Sequence, residues 1–238
     1  MFDGLKGKRV LVIGGSSGLG LATAQAFSAA GSQVTIAARA GERLDKAREQ
    51  VGAGVTSRPL DITDEGAIER FFAEGEAWDH VVITASSTRP GPVRGLALAD
   101  AYASMNSKFW GPYRIARVVK IAEGGSLTLV SGLLGRRPSA SSVLQGAINA
   151  AVEALGRGLA LELSPIRVNT VSPGLIRTPL HDRMPEDKRR AMYEQVAARL
   201  PVKRVGEAQD VANAVLFLAA TPFATGSTVF VDGGGAIA

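Results

Sequence analysis

The chain has 238 residues, 46% of them hydrophobic, which is enough for one sizeable α/β core. Its formal charge of +5 is modest, and no aromatic residues interleave with its short basic clusters at Arg136–Arg137 and 188–190, which argues against nucleic acid as a partner. It has no cysteine, hence no disulfide or thiolate metal site, and no metal-ligand cluster is visible, since His80 and His181 stand far apart.

The opening residues MFDGLKGK lack the apolar segment of a signal peptide, so a cytoplasmic protein is expected. Val10, Leu11, Val12 and Ile13 form a short apolar run, the mark of a strand buried on both faces. Gly14, Gly15, Gly18 and Gly20 follow at once, and 19–30 has helical composition. A strand, a glycine turn and a helix N-terminus gather unpaired amides, a positive dipole end and bare backbone at one spot. That combination makes a pyrophosphate site.

The alternation repeats without a linker. Residues 33–38 read as a second strand, 42–50 as a helix, and 55–60 as a third strand ending at Asp61. Residues 67–72 form a short helix capped by Asp64 or Thr63, and 80–84 a fourth strand that His80 opens in a structural role. A long helix spans 98–121, a fifth strand 126–131, and a second long helix 142–163, which Pro165 ends. A sixth strand covers 166–171, and the charged, partly helical stretch 177–199 reads as a substrate lid extending to about residue 200. The uncharged stretch 211–231 is long enough to mimic a membrane span, but Pro222, Gly226 and several hydroxyl residues interrupt it. It reads instead as a helix at 210–220, a turn, and a seventh strand at 228–231, with no membrane involved. The pattern predicts one α/β domain over 1–238, a Rossmann-type doubly wound sheet of about seven parallel strands flanked by helices. Its ligands belong at the C-terminal strand ends.

The end of the second strand is where a dinucleotide enzyme meets the adenine ribose. An acidic residue there would bond the ribose hydroxyls of NAD, but this chain has Ala37, Ala38 and Arg39. A guanidinium forms a bidentate, charge-assisted pair with a phosphate, and Ser16 and Ser17 add hydroxyl donors. The expected cofactor is NADP(H).

The segment Gly14-x-x-x-Gly18-Leu19-Gly20 resembles the T-G-x-x-x-G-[IL]-G pattern of the short-chain dehydrogenase/reductase family, with Ile13 where that family has Thr. The likeness continues through Asp61, Val168-Asn169, Pro173-Gly174-Leu175-Ile176-Arg177-Thr178, Arg204, Asp210 and Val231-Asp232-Gly233-Gly234, and so covers nearly the whole chain. It implies that Asp61 contacts the adenine, while the Ile176 backbone and the Thr178 hydroxyl hold the nicotinamide carboxamide. The family's N-N-A-G after the fourth strand is here Ile83-Thr84-Ala85-Ser86, which keeps Ala85 as a cofactor contact. The family also suggests a homo-oligomer, a dimer or tetramer, to which Leu155, Leu159, Leu161 and Leu163 would add apolar surface.

Members of the family reduce carbonyls with a Ser, a Tyr and a Lys, assisted by an Asn. Asn106 in MNSKFWG resembles that Asn, and Ser131 in LTLVSG resembles that Ser. Counting back from 150–155, Gln145 stands at the Tyr position and Asn149 at the Lys position, where the ribose would also be held. Their i, i+4 spacing puts both amides on one helix face. Primary amides donate hydrogen bonds but transfer no proton near neutral pH, and no cation is left to tune a neighbour. The expectation is an atypical NADP(H)-dependent oxidoreductase giving hydride to a small activated carbonyl or quinone, whose weakly basic oxyanion Ser131 and Gln145 can stabilise. The alternative is a non-catalytic NADP(H)-binding redox sensor or interaction protein. Water and the lid residue His181 are the remaining proton sources, and Tyr102 and Tyr113 are expected to pack in the core or between subunits.

Overall fold

Side-chain alternation along the strands divides the core into two layers. In β1 (Arg9–Ile13), Val10 and Val12 face one apolar cluster, and Leu11 and Ile13 face the other, all fully buried. The computed structural model describes residues 2–238; Met1, the first residue of the N-terminal stretch read above, lies outside them.

Chain order continues with α1 (Gly18–Ala29), β2 (Gln33–Ala38), α2 (Glu42–Val51), β3 (Thr56–Pro59), α3 (Glu65–Ala73) and β4 (Trp78–Ile83). It runs on through α4 (Leu98–Met105), a π-helical segment (Asn106–Trp110), α5 (Gly111–Val118), β5 (Ile121–Val130) and α6 (Val143–Glu162). The last part holds β6 (Arg167–Pro173), β7 (Ile176–Arg177), α7 (Glu186–Arg199), β8 (Gly206–Glu207), α8 (Ala208–Ala220) and β9 (Thr228–Val231). Seven strands form one parallel sheet in the order β3-β2-β1-β4-β5-β6-β9, and β7 with β8 makes a separate parallel pair. The expected doubly wound architecture is therefore present. The order reverses between β1 and β4, and that switch point opens a crevice beyond the strand ends.

Helices α1, α2 and α8 cover one face, burying Phe27, Leu44, Val211 and Val215 against Val12 and Ile36. Helices α3, α5 and α6 cover the other, burying Ile68, Ile115, Ile148 and Val152 against Leu127 and Leu129. The α3 terminus matches its sequence signal, since the Asp64 carboxylate accepts from the Ala67 amide at 2.9 Å. The stretch 211–231 resolves into α8, a turn and β9, and no helix among the described residues is long and apolar enough to cross a membrane.

Some boundaries differ from expectation. The long helix does not reach residue 121: Val119 leaves it in an extended conformation, and Ile121 pairs with Trp78 as the start of β5. The register then shifts so that His80 faces Ser126, which accommodates the Gly124-Gly125 bend. Tyr102 and Tyr113 are not core residues; they are 70% and 39% exposed, Tyr113 standing beside Phe109 and Trp110 on the outer face. Of the four leucines expected to add apolar surface, Leu159 is buried, Leu155 and Leu163 pack half-buried against the core, and Leu161 is exposed. His80 is buried and structural, its Nδ1 lying 2.9 Å from Ser126 Oγ on the neighbouring strand.

Candidate active site

The crevice begins at the end of β1. The Gly14 amide donates to the Ala37 carbonyl at 2.7 Å, which prolongs the β1–β2 ladder by one step. Gly14 then turns with φ +92°, and a Cβ there would sit 2.5 Å from the Ala85 amide nitrogen. A Cβ on Gly20 would overlap the Gly14 carbonyl oxygen. Bare backbone is thus what lets the strand, the turn and α1 close together. The Ser17 side chain makes no cap at the N-terminus of α1, so the first amides of the helix remain available to an anion. Ser16 is buried and Ser17 half-buried within this turn. Where the family has a threonine, Ile13 offers only its carbonyl, and Thr84, just past the end of β4, reaches that oxygen with its hydroxyl at 3.1 Å. Ala85 donates its amide to the same oxygen at 3.0 Å.

Around this cradle stand the other cofactor-side residues. Thr178 lies against the turn, 3.4 Å from where a Cβ on Gly18 would be, and Ile176 is buried where β7 pairs with β8. Arg39 is exposed just past the end of β2, and no ion pair among the described residues includes it. Asp61 lies within its field. Burial pushes the Asp61 carboxyl up, but the Thr63 hydroxyl and amide, at 2.7 and 2.9 Å, together with Arg39 hold it below the usual range. A turn that a Cβ would fill, open helix amides and an unpaired guanidinium fit a phosphorylated dinucleotide.

The other wall is built by β5 and α6. Gln145 and Asn149 share one face of α6, as their spacing requires. Gln145 Nε2 donates to Thr88 Oγ1 at 2.9 Å, and the buried Asn149 amide faces Gly132, whose Cβ, if present, would lie 2.9 Å from Asn149 Nδ2. Asn149 Oδ1 is buried without a hydrogen-bond partner among the described residues.

Two expected catalytic side chains point elsewhere. Ser131 is buried on the side of the sheet taken by Leu127 and Leu129, so its hydroxyl turns into α6 and donates to Glu153 at 2.9 Å. The position facing Asn149 is Gly132, which has no hydroxyl to offer. Asn106 opens the π-helical segment, and its amide oxygen accepts from Arg114 Nη1 at 2.7 Å along the same helix. His181 is likewise engaged: its Nδ1 lies 3.2 Å from the Tyr193 hydroxyl, and burial lowers its pKa. Arg177 stacks over the same Tyr193 ring, so these side chains anchor helix α7.

Three participants escaped the sequence reading. Glu153 follows Asn149 by one helical turn, a spacing that could have revealed it. Thr88 lies in a loop with no periodicity to place it. Lys108, on the π-helical segment, donates from Nζ to the Ser131 carbonyl at 2.8 Å, which corrects the expectation that no cation remains at this site.

An α/β doubly wound fold with a glycine turn open to an anion and a facing polar wall is the architecture of a dinucleotide-binding protein. Residues 14–235 match the family described as enoyl-(acyl carrier protein) reductase. The chain is 34% identical to glucose 1-dehydrogenase of Gluconobacter oxydans, covering 98% of this chain and 93% of that one. It is 30% identical to 3-oxoacyl-[acyl-carrier-protein] reductase of Thermotoga maritima, covering 97% and 98%. Among solved structures, a small-chain dehydrogenase in complex with NADPH is 36% identical with a TM-score of 0.80, covering 97% of this chain and 100% of that one. The protein belongs to the short-chain dehydrogenase/reductase family of oxidoreductases, whose members bind NAD(P)(H) and act on small molecules.

Proposed function

We propose that the protein is an NADP(H)-dependent reductase of activated carbonyls, such as quinones and 1,2-dicarbonyls. The observation that carries this reading is the polar face of α6: Gln145 and Asn149 offer hydrogen-bond donors where a proton-transferring pair is expected. Such a face orients and polarises a carbonyl, and it serves a substrate whose oxyanion is weakly basic.

On the cofactor side, Gly14, Ser16, Ser17, Gly18, Leu19 and Gly20 would surround the pyrophosphate and Arg39 would pair with the 2′-phosphate. Asp61 and Ala85 would line the adenosine half, and Ile176 and Thr178 would hold the carboxamide. NADPH, when bound, supplies the hydride. Asn149 Oδ1, a buried acceptor without a donor, suits a ribose hydroxyl. The NADPH complex of the 36% identical dehydrogenase supports this cofactor choice. A cytoplasmic homo-oligomer, with the exposed Trp110–Tyr113 face as one contact, completes the reading.

The experiment is NADPH oxidation by the purified protein across quinones, 1,2-dicarbonyls and simple ketones. Turnover confined to the activated compounds is expected, and robust oxidation of ordinary secondary alcohols would contradict it. One observation favours the second reading, a non-catalytic NADP(H) sensor: the hydroxyl of Ser131 and the amide oxygen of Asn106 are both committed within the protein. Tight NADPH binding with no turnover of any acceptor would decide for the sensor.

A further inference from the structure

No ionic partner accounts for the position of Lys108. None of the ion pairs among the described residues includes it, and its one hydrogen bond goes to the Ser131 carbonyl. The residue keeps partial contact with solvent, yet protein surrounds the amine, and burial lowers its pKa from the usual lysine range to about 8. A methionine would fill the same space without that penalty.

The carbonyl it binds belongs to the peptide joining Ser131 to Gly132. In a trans peptide the N–H points opposite to the C=O, so the ammonium holds one end of this unit and the Gly132 N–H forms the other. Gly132 is half-buried, and its N–H has no hydrogen-bond partner among the described residues. Its Cα faces the Asn149 amide on α6. An ammonium on the oxygen draws electron density from the nitrogen and strengthens the N–H as a donor.

We propose that the Gly132 N–H, polarised by Lys108 through the Ser131–Gly132 peptide, is an oxyanion donor of this site, acting beside the amides of Gln145 and Asn149. This rests on the reductase reading and extends it: a preorganised donor stabilises the charge that develops on the substrate oxygen. Lys108 is then a positioning residue, and the missing side chain of Gly132 leaves room for the Asn149 amide to stand against this backbone. The charged groups bound to the neighbours of Lys108 are Glu153 on α6, which takes the Ser131 hydroxyl, and Arg114 on α5, which takes the Asn106 amide oxygen; burial alone lowers the Lys108 pKa.

The test combines NMR on the cofactor-free protein with kinetics. The Gly132 amide resonance should move as pH passes through about 8 in the native protein and stay still in K108M. In NADPH-dependent reduction of a quinone, K108M should lower kcat/KM by about 10- to 100-fold. K108R, whose charge persists, should retain activity within about threefold and lack the decline expected of the native protein above pH 8. NADPH affinity in each variant, measured by fluorescence, reports that the fold is intact. A Gly132 resonance indifferent to pH would overturn the proposal, as would a K108M enzyme with native kcat/KM and pH profile. A native protein that turns over no acceptor while Gly132 still titrates would overturn the reductase reading and leave the polarised donor standing.

Discussion

The two walls of the crevice obey different rules. On the β1–α1 wall the candidate site is backbone: Gly14 and Gly20 are needed because a Cβ on either would collide with neighbouring main chain. On the β5–α6 wall the candidate site is lined by side chains, and Gln145 and Asn149 stand on one face of α6 without disturbing the helix or the sheet. The contrast teaches that phosphate binding is bound up with the fold, whereas proton transfer is an attribute of replaceable groups. A chain can keep the first and alter the second.

The strongest way to break the comparison is at Gly20. G20V forces the turn apart, and NADPH affinity should fall by at least about a thousandfold, measured by fluorescence titration, with a loss of stability besides. The second change lies away from both walls and serves as a baseline. His80 is buried, and burial first, then Arg167 and Lys8, lower its pKa to about 4 from an unfolded value of 6.5. Between those values the unfolded chain binds the extra proton, so stability declines as pH falls from 6.5 towards 4, by up to about 3 kcal/mol. In urea titrations, H80Q should flatten this acid slope while leaving NADPH affinity at pH 7 unchanged.

Smaller changes sharpen the contrast within each wall. R39A should weaken NADPH by about 10- to 100-fold and leave NADH nearly unaffected, the expected loss of one charge-assisted pair. Equal weakening of both nucleotides would remove Arg39 from the 2′-phosphate site. Q145L, which deletes the 2.9 Å bond to Thr88, should lower kcat/KM for a quinone by about two- to tenfold without changing NADPH affinity.

Much of this was legible in the residue order. The apolar run at Val10–Ile13 and the glycines that follow announce a buried strand and a tight glycine turn because both are local backbone requirements. The Asp64 cap and the seven strands are legible for the same reason: each depends on residues a few positions apart. Ser131 was harder. Its place at the end of a strand is a matter of sequence, but whether its hydroxyl or the next residue faces Asn149 turns on strand alternation against a particular helix. The long helix was overextended because helical composition runs past Val118, where the chain turns into β5.

By itself, then, the sequence determined the α/β alternation, the glycine turn, the basic residue after β2 and the amide pair on one face of α6, all products of short-range periodicity and turn chemistry. Only the tertiary structure decided that Glu153 takes the Ser131 hydroxyl, that Thr88 holds Gln145 and that Lys108 sits on the Ser131–Gly132 peptide. Those pairings join residues 22, 57 and 23 positions apart. They exist because the packing of helices on the sheet brings distant segments within hydrogen-bond reach, and no local pattern records which segments will meet.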